Sequence, residues 1–379
     1  MKIIRFCPVY YPHFKHGGSV VADYELDKAL VAEGHSVTVF TCKESISDKK
    51  EEIISSKHKI FYFSCIGSIL HGISFVPLFH LLKMLFKKKN IDIIWFGGVW
   101  NLFTILGPII CRIFFVNYII TPHGMLIPQL INKKSKYLKK FIIQLFLRKN
   151  LNKAFKVHFT VRSELDEAIQ VLKTKLNPII FPLTFDLSKF DINQDMTQIL
   201  KINNKVELSF IGNIKKKKRI DLIFNALKIL PEETKKKLKF NIIGTDPEKV
   251  FDYQRYNKEN IGVEICYFGP LFNSQLINAY HTTDIFVLCS ESENFGISVV
   301  EAAYSCCALL ISREVGVSEY FLPNSAVISK LDSKEISKKI TFLVDNPKII
   351  MNYKIAAKKV ARQFDFTSLS KNYFYDLLK

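Results

Sequence analysis

DIFVLCSESENFGISVVEAAYS, residues 284–305, is the stretch that decides the fold of this chain. It opens with a short apolar run, continues through a polar loop that contains one glycine, and ends with apolar residues at helical spacing. This order predicts a buried strand, a tight loop and a helix with one apolar face. Asn294, Phe295, Gly296 and Ile297 stand where the loop meets the helix, so we expect their backbone N–H groups to form an anion site.

Two carboxylates flank this predicted anion site. Glu293 belongs to the loop, and Glu301 follows eight residues later within the helix. Carboxylates accept hydrogen bonds from hydroxyl groups, so a sugar or a ribose diol suits either of them. An anion site beside two such carboxylates indicates a site for a nucleotide sugar.

The alternation of strand and helix extends in both directions from this stretch. The N-terminal half begins with the strand-like run IIRFCPVY, a loop that contains Gly17 and Gly18, and a helix from about Val20 to Ala32. A second series of strands and helices begins at VELSFIGN, after a polar linker. Alternating β and α elements are typical of parallel sheets covered by helices, and glycines after a first strand let backbone N–H groups approach an anion.

Length and composition bound the architecture and the compartment. The chain has 379 residues, of which 48% are hydrophobic, and single cores seldom exceed about 250–300 residues. We therefore expect two folded domains. The eight cysteines show no spacing typical of a metal site, so we expect reduced thiols. The N-terminus passes straight into a strand-like run without the pattern of a signal peptide, so we expect a cytoplasmic protein.

Two uncharged apolar runs, residues 60–82 and 93–111, are long enough to raise the question of a membrane span. The second run contains the strand-like IDIIWF, two glycines and a helix from about Asn101, and NYIITPHG follows as another strand. We interpret it as a βαβ unit of a buried parallel sheet.

Positive charge is concentrated in the first half of the chain. The net charge is +19; residues 1–180 contain 26 Lys and Arg against 12 acids, and residues 181–379 contain 28 against 23. No acid occurs between Asp92 and Glu164. Nucleic acid and an anionic membrane are the two candidate partners for such a surface, and no nucleic-acid-binding motif accompanies the charge. We therefore expect a membrane surface and no nucleic acid.

Residues 133–156 are the most basic segment, with nine Lys and Arg and no acid. Their apolar residues form one helical stripe, which we expect to be mostly buried in the domain core, while the lysines face an anionic leaflet. The stripe consists of Tyr137, Leu138, Phe141, Ile142, Leu145 and Phe146.

The segment from Glu293 to Ala302 resembles the E-x7-E signature of retaining glycosyltransferases of family 4, which have the GT-B fold. Five further segments resemble family motifs in the same order: YYPHFKHGGSV, AEGHSVTVFT, TPHGMLIP, FPLTFDLSKF and FIGNIKKKKRIDLI. TPHGMLIP is similar to the H-G segment of a bacterial branch that builds surface polysaccharide.

The resemblance implies an α/β fold of two Rossmann-like domains whose parallel sheets face a central cleft. Residues 1–183 would form the acceptor-side domain, and residues 184–362 the domain that binds the nucleotide sugar. Residues 363–379 would form a C-terminal helix that crosses back to the N-terminal domain.

The resemblance also assigns roles to residues. His123 and Glu293 would be catalytic, Lys218 would hold the diphosphate, and Glu301 the ribose diol. The implied donor-binding set is Gly17, Gly18, Asn213, Lys218, Arg219, Asn294, Phe295, Gly296, Ile297 and Glu301.

The chain departs from the family pattern at several motif positions, and Leu183-Thr184 stands in place of an N-G turn. Asn213 stands in place of an arginine, and Arg219 and Cys306 each stand in place of a glycine. The loss of the arginine places phosphate affinity in doubt unless Arg219 or another lysine compensates.

The function that we expect is transfer of a sugar from a nucleotide-sugar donor, UDP-linked rather than GDP-linked, to a saccharide or lipid-linked acceptor. The product would be O-antigen, capsule or lipopolysaccharide, made at the inner face of the plasma membrane by a peripheral protein. No acidic cluster resembles a D-x-D metal site, so we expect no metal and no other cofactor. Two alternatives remain open at this point: a sugar-nucleotide epimerase of GT-B fold, and an inactive GT-B scaffold protein.

Overall fold

The computed structural model describes residues 1–44, 50–71, 73–87, 90–132, 135–191, 205–253, 261–321, 324–366 and 378. The chain divides into two compact units. Unit 1 is Met1–Phe185 with Leu369–Lys379, and unit 2 is Asp186–Ser368. The predicted C-terminal helix lies outside the described residues from residue 367 onward, apart from Leu378.

Unit 1 is built on an eight-stranded sheet with the order β3-β4-β2-β1-β5-β6-β7-β8. Neighbouring strands are parallel except β3 and β4, which pair antiparallel at one edge. The strands are β1 (Lys2–Phe6), β2 (Ser36–Cys42), β3 (Glu51–Ser55), β4 (His58–Phe63), β5 (Ile93–Gly97), β6 (Tyr118–Thr121), β7 (Lys156–Phe159) and β8 (Pro178–Ile180).

Helices cover this sheet. They are α1 (Gly18–Ala32), α2 (Val76–Phe86), α3 (Leu102–Ile113), α4 (Pro128–Asn132), α5 (Lys136–Ile142), α6 (Arg148–Asn152) and α7 (Arg162–Leu172). The central strand β1 contributes to two different environments. Phe6 packs its ring against Phe40, Phe96 and Phe103 in an apolar core, whereas Arg5 pairs with carboxylates of α1. Side chains of a strand alternate between the two faces of the sheet, which explains this division.

Unit 2 is built on a six-stranded parallel sheet with the order β11-β10-β9-β12-β13-β14. Its strands are β9 (Val206–Ile211), β10 (Leu238–Ile243), β11 (Glu264–Gly269), β12 (Ile285–Leu288), β13 (Ala308–Ser312) and β14 (Val327–Ser329). Its helices are α8 (Ile220–Lys228), α9 (Glu232–Lys236), α10 (Asn273–Thr282), α11 (Ile297–Tyr304), α12 (Ser318–Phe321), α13 (Ser333–Asp345) and α14 (Pro347–Ala361).

The expected burial of the apolar stripe in residues 133–156 is wrong for most of its members. Tyr137, Leu138, Phe141 and Leu145 are 83%, 58%, 57% and 53% exposed. The residues that pack into the core are instead Ile143, Leu147 and Leu151, which are spaced four apart. A surface helix buries one side only, so the predicted stripe stays exposed because another side faces the core. Ile143 and Leu147 are the first and last residues of a π-helical segment between α5 and α6.

One stretch, Ile69–Phe86, has the length and composition of a membrane-crossing helix, with a mean hydropathy of 1.6. It begins with a 3₁₀ turn, Ile69–His71, and α2 starts only at Val76. Leu78, Leu81 and Leu85 of α2 pack into the core of unit 1. These three leucines attach the stretch to the folded unit, although only 29% of the stretch as a whole is buried.

Candidate functional site

The loop between β12 and α11 in unit 2 is held by the segment that follows β13. Glu293 forms a parallel bridge with Val315; its N–H donates to the carbonyl of Glu314, and its carbonyl accepts from Gly316. The N–H of Val317 donates to the carbonyl of Phe295. The backbone at Glu293 is thus fixed on both sides, so its side chain leaves the loop in a defined direction.

The lysine run after β9 supplies one buried ammonium group. Lys218 is 9% exposed, whereas Lys216 and Lys217 are exposed. Burial lowers the pKa of Lys218, the nearby carboxylate of Glu293 raises it, and Lys217 and Lys215 lower it further, with a net lowering. The protein neutralises the charge of Lys218 poorly. An anion bound beside Lys218 would therefore form a favourable ion pair with its ammonium group.

Glu293 forms an ion pair with one member of this lysine run. Its Oε2 lies 3.2 Å from the Nζ of Lys217 but makes no hydrogen bond with the part of the chain that the structure describes. The N–H of Glu291 and the hydroxyl of Ser290 both donate to the carbonyl of Lys217, at 2.7 and 3.1 Å. The lysine run and the Glu293 loop are therefore neighbours, as the sequence predicts for one anion site.

Arg219 and Asn213, two further predicted donor-binding residues, are engaged within unit 2. The guanidinium of Arg219 donates to both carboxylate oxygens of Asp221 and, at 2.7 Å, to Glu291. The amide oxygen of Asn213 accepts from the hydroxyl of Thr245 at 2.8 Å. Arg219 is thus already paired with two acids, whereas Lys218 forms no ion pair with the residues that the structure describes.

Glu301 points one oxygen at the protein and leaves the other without a described partner. The hydroxyl of Tyr280 donates to Oε2 at 2.8 Å. Burial raises the pKa of Glu301, and Lys189 and the Tyr280 hydrogen bond oppose that increase. A half-buried carboxylate with one bonded and one open oxygen can accept hydrogen bonds from a diol.

Backbone conformation explains the glycine at the start of α11. Gly296 has φ = 98°, and a Cβ there would lie 2.8 Å from Cγ1 of Val315. Two of the positions where the family pattern has glycine and this chain does not, Arg219 and Cys306, also have positive φ, 48° and 63°. The chain keeps the left-handed conformation at both positions although the residue has changed.

In unit 1, the predicted catalytic histidine lies at the end of β6. His123 has φ = 55°, and its Nε2 lies 3.1 Å from Oδ2 of Asp23. Burial lowers the pKa of His123, but the charge and hydrogen bond of Asp23 outweigh it and raise the pKa overall. Nδ1 has no hydrogen-bond partner among the described residues, so it is the ring nitrogen that remains for a ligand.

Asp23 belongs to a buried polar network that the sequence did not predict. Arg5 contacts Asp23 at 3.2 Å and Asp27 at 2.6 Å, and its guanidinium lies 4.4 Å from the ring centre of Trp95. Burial would raise the pKa of Asp23, but His123 and Arg5 lower it to about 2. Burial raises the pKa of Asp27 to about 6 against the opposing effect of Arg5, and Tyr10 donates to its Oδ2 at 2.7 Å.

The loop that carries His123 is fixed by another buried carboxylate. Glu164 accepts from the N–H of Gly124 at 2.6 Å and from the N–H of Thr160 at 2.9 Å. The predicted glycine loop lies at the start of α1: Gly17 has φ = 122° and precedes Gly18, the first residue of the helix. No described residue lies within 4 Å of the position that a Cβ would take at Gly17, so the backbone there leaves room for a ligand.

The structure therefore groups the predicted residues into two sets, one in each unit. His123 lies with Asp23 in unit 1; Lys218, Glu293 and the start of α11 lie together in unit 2. Sequence reasoning missed the residues that hold these side chains. They are Arg5, Asp23, Asp27, Glu164, Lys217 and Tyr280. For Asp23 and Asp27 the only signal was their position, four residues apart on one face of the first predicted helix.

The chemistry available in unit 2 is recognition of an anion and of hydroxyl groups. A buried ammonium and free helix N–H groups suit a diphosphate, and two carboxylates suit diols. Within the described residues, no group of three or more His, Cys, Asp or Glu side chains could hold a metal ion.

Two family models match the chain, one in each unit. The model described as Glycosyltransferase Family 4 matches residues 16–179, and the model described as Glycosyl transferases group 1 matches residues 191–360. An uncharacterized 41.2 kDa protein in the cps region of Klebsiella pneumoniae is 23% identical over 196 residues, which are 50% of this chain and 51% of that protein. The chain thus spans about half the length of this curated relative.

Solved structures of similar fold cover almost the whole chain. Anabaena Alr3699/HepE in complex with UDP has a TM-score of 0.72 and 16% identity, over 100% of this chain and 99% of that one. WaaG, a glycosyltransferase involved in lipopolysaccharide biosynthesis, has a TM-score of 0.71 and 15% identity, over 99% of both chains. The predicted fold of two α/β domains with parallel sheets is confirmed. Each unit thus contains a domain that a glycosyltransferase family model matches, and the chain has the two-domain fold of the GT-B type.

Proposed function

We propose that this protein transfers a sugar from a nucleotide-sugar donor to a growing cell-surface polysaccharide, with retention of configuration. The observation that carries the proposal is the group of Lys218, Glu293 and the N-terminus of α11 on neighbouring loops of unit 2, with Glu301 on the same helix. A cation and free N–H groups bind a diphosphate, and carboxylates bind sugar hydroxyls. The UDP complex of a protein with similar fold favours a UDP-linked donor.

The proposed reaction is a displacement on one face of the sugar. The bond from the anomeric carbon to the diphosphate oxygen breaks while the acceptor oxygen bonds to the same face, and the acceptor proton passes to the departing diphosphate. Lys218 and the N–H groups at the start of α11 stabilise the charge that develops on that diphosphate. Glu293 orients the donor sugar through its hydroxyls, and Glu301 holds the ribose diol.

Unit 1 supplies a histidine and a glycine loop, and the histidine ring is oriented by a neighbouring carboxylate of the same unit. We propose that the backbone at Gly17 and Gly18 contacts the donor phosphate and that His123 contacts the donor sugar through Nδ1. Asp23 is a positioning residue, because it occupies Nε2 and keeps the ring in one orientation. Asp23 also raises the pKa of His123, so the ring carries a proton up to a higher pH.

We propose that the transfer needs no metal, because Lys218 and helix N–H groups neutralise the leaving diphosphate. Activity is expected to persist in excess chelator. Loss of activity in chelator, restored by added magnesium or manganese, would contradict this part of the proposal.

We also propose that the protein works at the inner face of the plasma membrane, on a lipid-linked acceptor. Two findings support this: the location of the curated relative in a cps region, and the exposure of apolar residues of α5, beside Lys136 and Lys140, on the surface of unit 1. We expect binding to anionic vesicles that weakens as salt rises. Changing Lys133, Lys134, Lys136, Lys139 and Lys140 to Glu is expected to abolish this binding. Equal binding to neutral and anionic vesicles would contradict an electrostatic attraction to the membrane.

The decisive experiment for the transferase is a screen of UDP- and GDP-linked sugars with extracted lipid-linked saccharides as acceptors. The expected result is release of the nucleoside diphosphate together with a longer saccharide, whose new linkage has the anomeric configuration of the donor by NMR. Conversion of the donor without an acceptor product would instead identify an epimerase. Binding of UDP without any conversion would identify an inactive scaffold.

A further inference from the structure

A groove of about 790 Å³ lies on unit 1, and none of the residues assigned to the transfer lines it. Its floor is aromatic: the ring of Phe40 lies 5.7 Å from that of Phe61 and 5.6 Å from that of Phe63, and Phe63 lies 5.4 Å from the ring of His80. One wall is a face of α2, and the other is the outer part of the sheet, at β2 and β4. We call this feature the lysine groove, because five lysines line it: Lys43, Lys50, Lys59, Lys83 and Lys87.

The charge of the lysine groove is almost entirely positive. Among the described residues that line it, the only acid is Glu51, which is exposed at the sheet edge. Lys59, Lys83 and Lys87 form no ion pair with any residue in the described ranges. Cations held around an apolar floor attract an anion more strongly than cations in open water, because the local dielectric constant is lower.

The surface beside the groove is apolar. Phe75 and Phe79 are 63% and 66% exposed, and Val76, which lines the groove, is 51% exposed. Exposed apolar patches of this kind mark interaction surfaces in soluble proteins. Residues 53–163, which include α2 and α5, contain 17 Lys and Arg and a single acid, Asp92.

We propose that the lysine groove binds a phosphate-bearing lipid, with the phosphate among Lys59, Lys83 and Lys87 and the start of the hydrocarbon chain on the aromatic floor. A nucleic acid would match the charge but leaves the apolar floor and the exposed phenylalanines without a partner. A neutral lipid would match the floor but leaves the lysines without one. A lipid phosphate satisfies both, and the adjacent Phe75 and Phe79 would then enter the same leaflet.

The test uses the full chain and soluble short-chain lipids, so that binding to a single lipid is separated from adsorption to a bilayer. Dihexanoyl phosphatidic acid, below its micelle concentration, is titrated by isothermal calorimetry beside dihexanoyl phosphatidylcholine and inorganic phosphate. We expect phosphatidic acid to bind at least tenfold more tightly than either. Lys59→Glu with Lys83→Glu is expected to weaken this binding at least tenfold, and Val76→Asp, at an exposed wall position, several-fold.

The matched control is Lys2→Glu with Lys175→Glu, two exposed lysines of unit 1 outside the groove. This variant changes the net charge equally and is expected to bind as the wild type does. Equal affinity for inorganic phosphate and phosphatidic acid, or full binding by the Lys59/Lys83 variant at unchanged thermal stability, would overturn the proposal. The inference rests on the proposed membrane association. Lipid binding is measured without donor or acceptor, so the result of this test does not depend on whether the protein transfers a sugar.

Discussion

Units 1 and 2 have similar parallel sheets, yet they use the charged groups at the ends of their strands in different ways. In unit 1, Arg5, Asp23 and His123 bind one another in the interior. In unit 2, Lys218 and Glu293 lie near each other with bonding capacity left over. Groups that neutralise one another shape the protein, whereas groups left unsatisfied are available to a ligand. Unit 1 variants should therefore lose stability, and unit 2 variants should lose affinity or rate.

The largest effect is expected from Asp23→Ala in unit 1. The change leaves His123 without its carboxylate and leaves Arg5 with Asp27 alone. Removing one partner of a buried ion pair costs about 3–5 kcal/mol. Both tryptophans, Trp95 and Trp100, lie in unit 1, so the urea transition followed by tryptophan fluorescence reports on that unit. A matched Glu291→Ala change at an exposed position of unit 2 is expected to leave this transition unchanged. An unshifted transition for Asp23→Ala would show that the buried network is not what holds unit 1 together.

The next effect is expected from Lys218→Ala in unit 2. Loss of a preorganised group that stabilises the leaving diphosphate is expected to lower kcat by about 10²–10³-fold. Folding, measured by circular dichroism on heating, is expected to stay close to that of the wild type. Lys216→Ala, at an exposed position of the same run, is the control and is expected to retain activity. Equal losses for the two lysines would mean that burial does not single out Lys218.

A smaller effect is expected from Glu301→Ala. Loss of a charged hydrogen-bond acceptor from a diol costs about 1.5–3 kcal/mol, so the Kd for the nucleoside diphosphate is expected to rise about 10–100-fold. Glu293→Ala is the informative partner, because it is expected to lower turnover more than nucleoside-diphosphate binding. Calorimetry with UDP measures the first effect and steady-state kinetics the second. Wild-type values for both variants would remove these glutamates from the site.

An effect of similar size concerns pH and a buried histidine of unit 1. Burial lowers the pKa of His158 to about 4, against the opposing hydrogen bond to the carbonyl of Phe181. In the unfolded chain the imidazole takes up a proton below about pH 6.5, so stability is lost as pH falls from about 6.5 to about 4. His158→Gln removes this loss, and we expect the stability difference between the two proteins to change by about 2–3 kcal/mol across that range.

Asp27, whose pKa is raised, changes stability with pH in the opposite direction. It is present in both proteins, so comparing wild type with His158→Gln isolates the histidine. Fluorescence-detected urea melts at several pH values provide the measurement. Parallel pH profiles for the two proteins would contradict the assignment.

The sequence predicted the features that depend on neighbours along the chain. The strand, loop and helix of residues 284–305 appear as β12, the Glu293 loop and α11, because short apolar runs and a glycine with positive φ carry local signals. The buried member of the lysine run could be selected only from the resemblance to a family motif. The site assignments themselves remain predictions.

Features that depend on distant contacts were not predictable. His123 and Asp23 are one hundred residues apart in sequence, and nothing near either of them indicates the pair. The antiparallel pair of β3 and β4 was missed. Its edge strand, β3, is largely solvent-accessible and shows no apolar alternation. The stripe of α5 was assigned to the core because it is apolar, whereas the side that packs into the core carries Ile143, Leu147 and Leu151.

The left-handed residues at Arg219 and Cys306 have a consequence for how such chains are recognised. Each occupies a conformation that glycine adopts freely and that costs other residues about 1–2 kcal/mol. The contacts of Arg219 with Asp221 and Glu291 offset that cost locally. A search that requires glycine at these positions would reject this chain, although its backbone follows the same path. Related sequences are better detected by patterns that accept any residue at a left-handed position and require the surrounding turn instead.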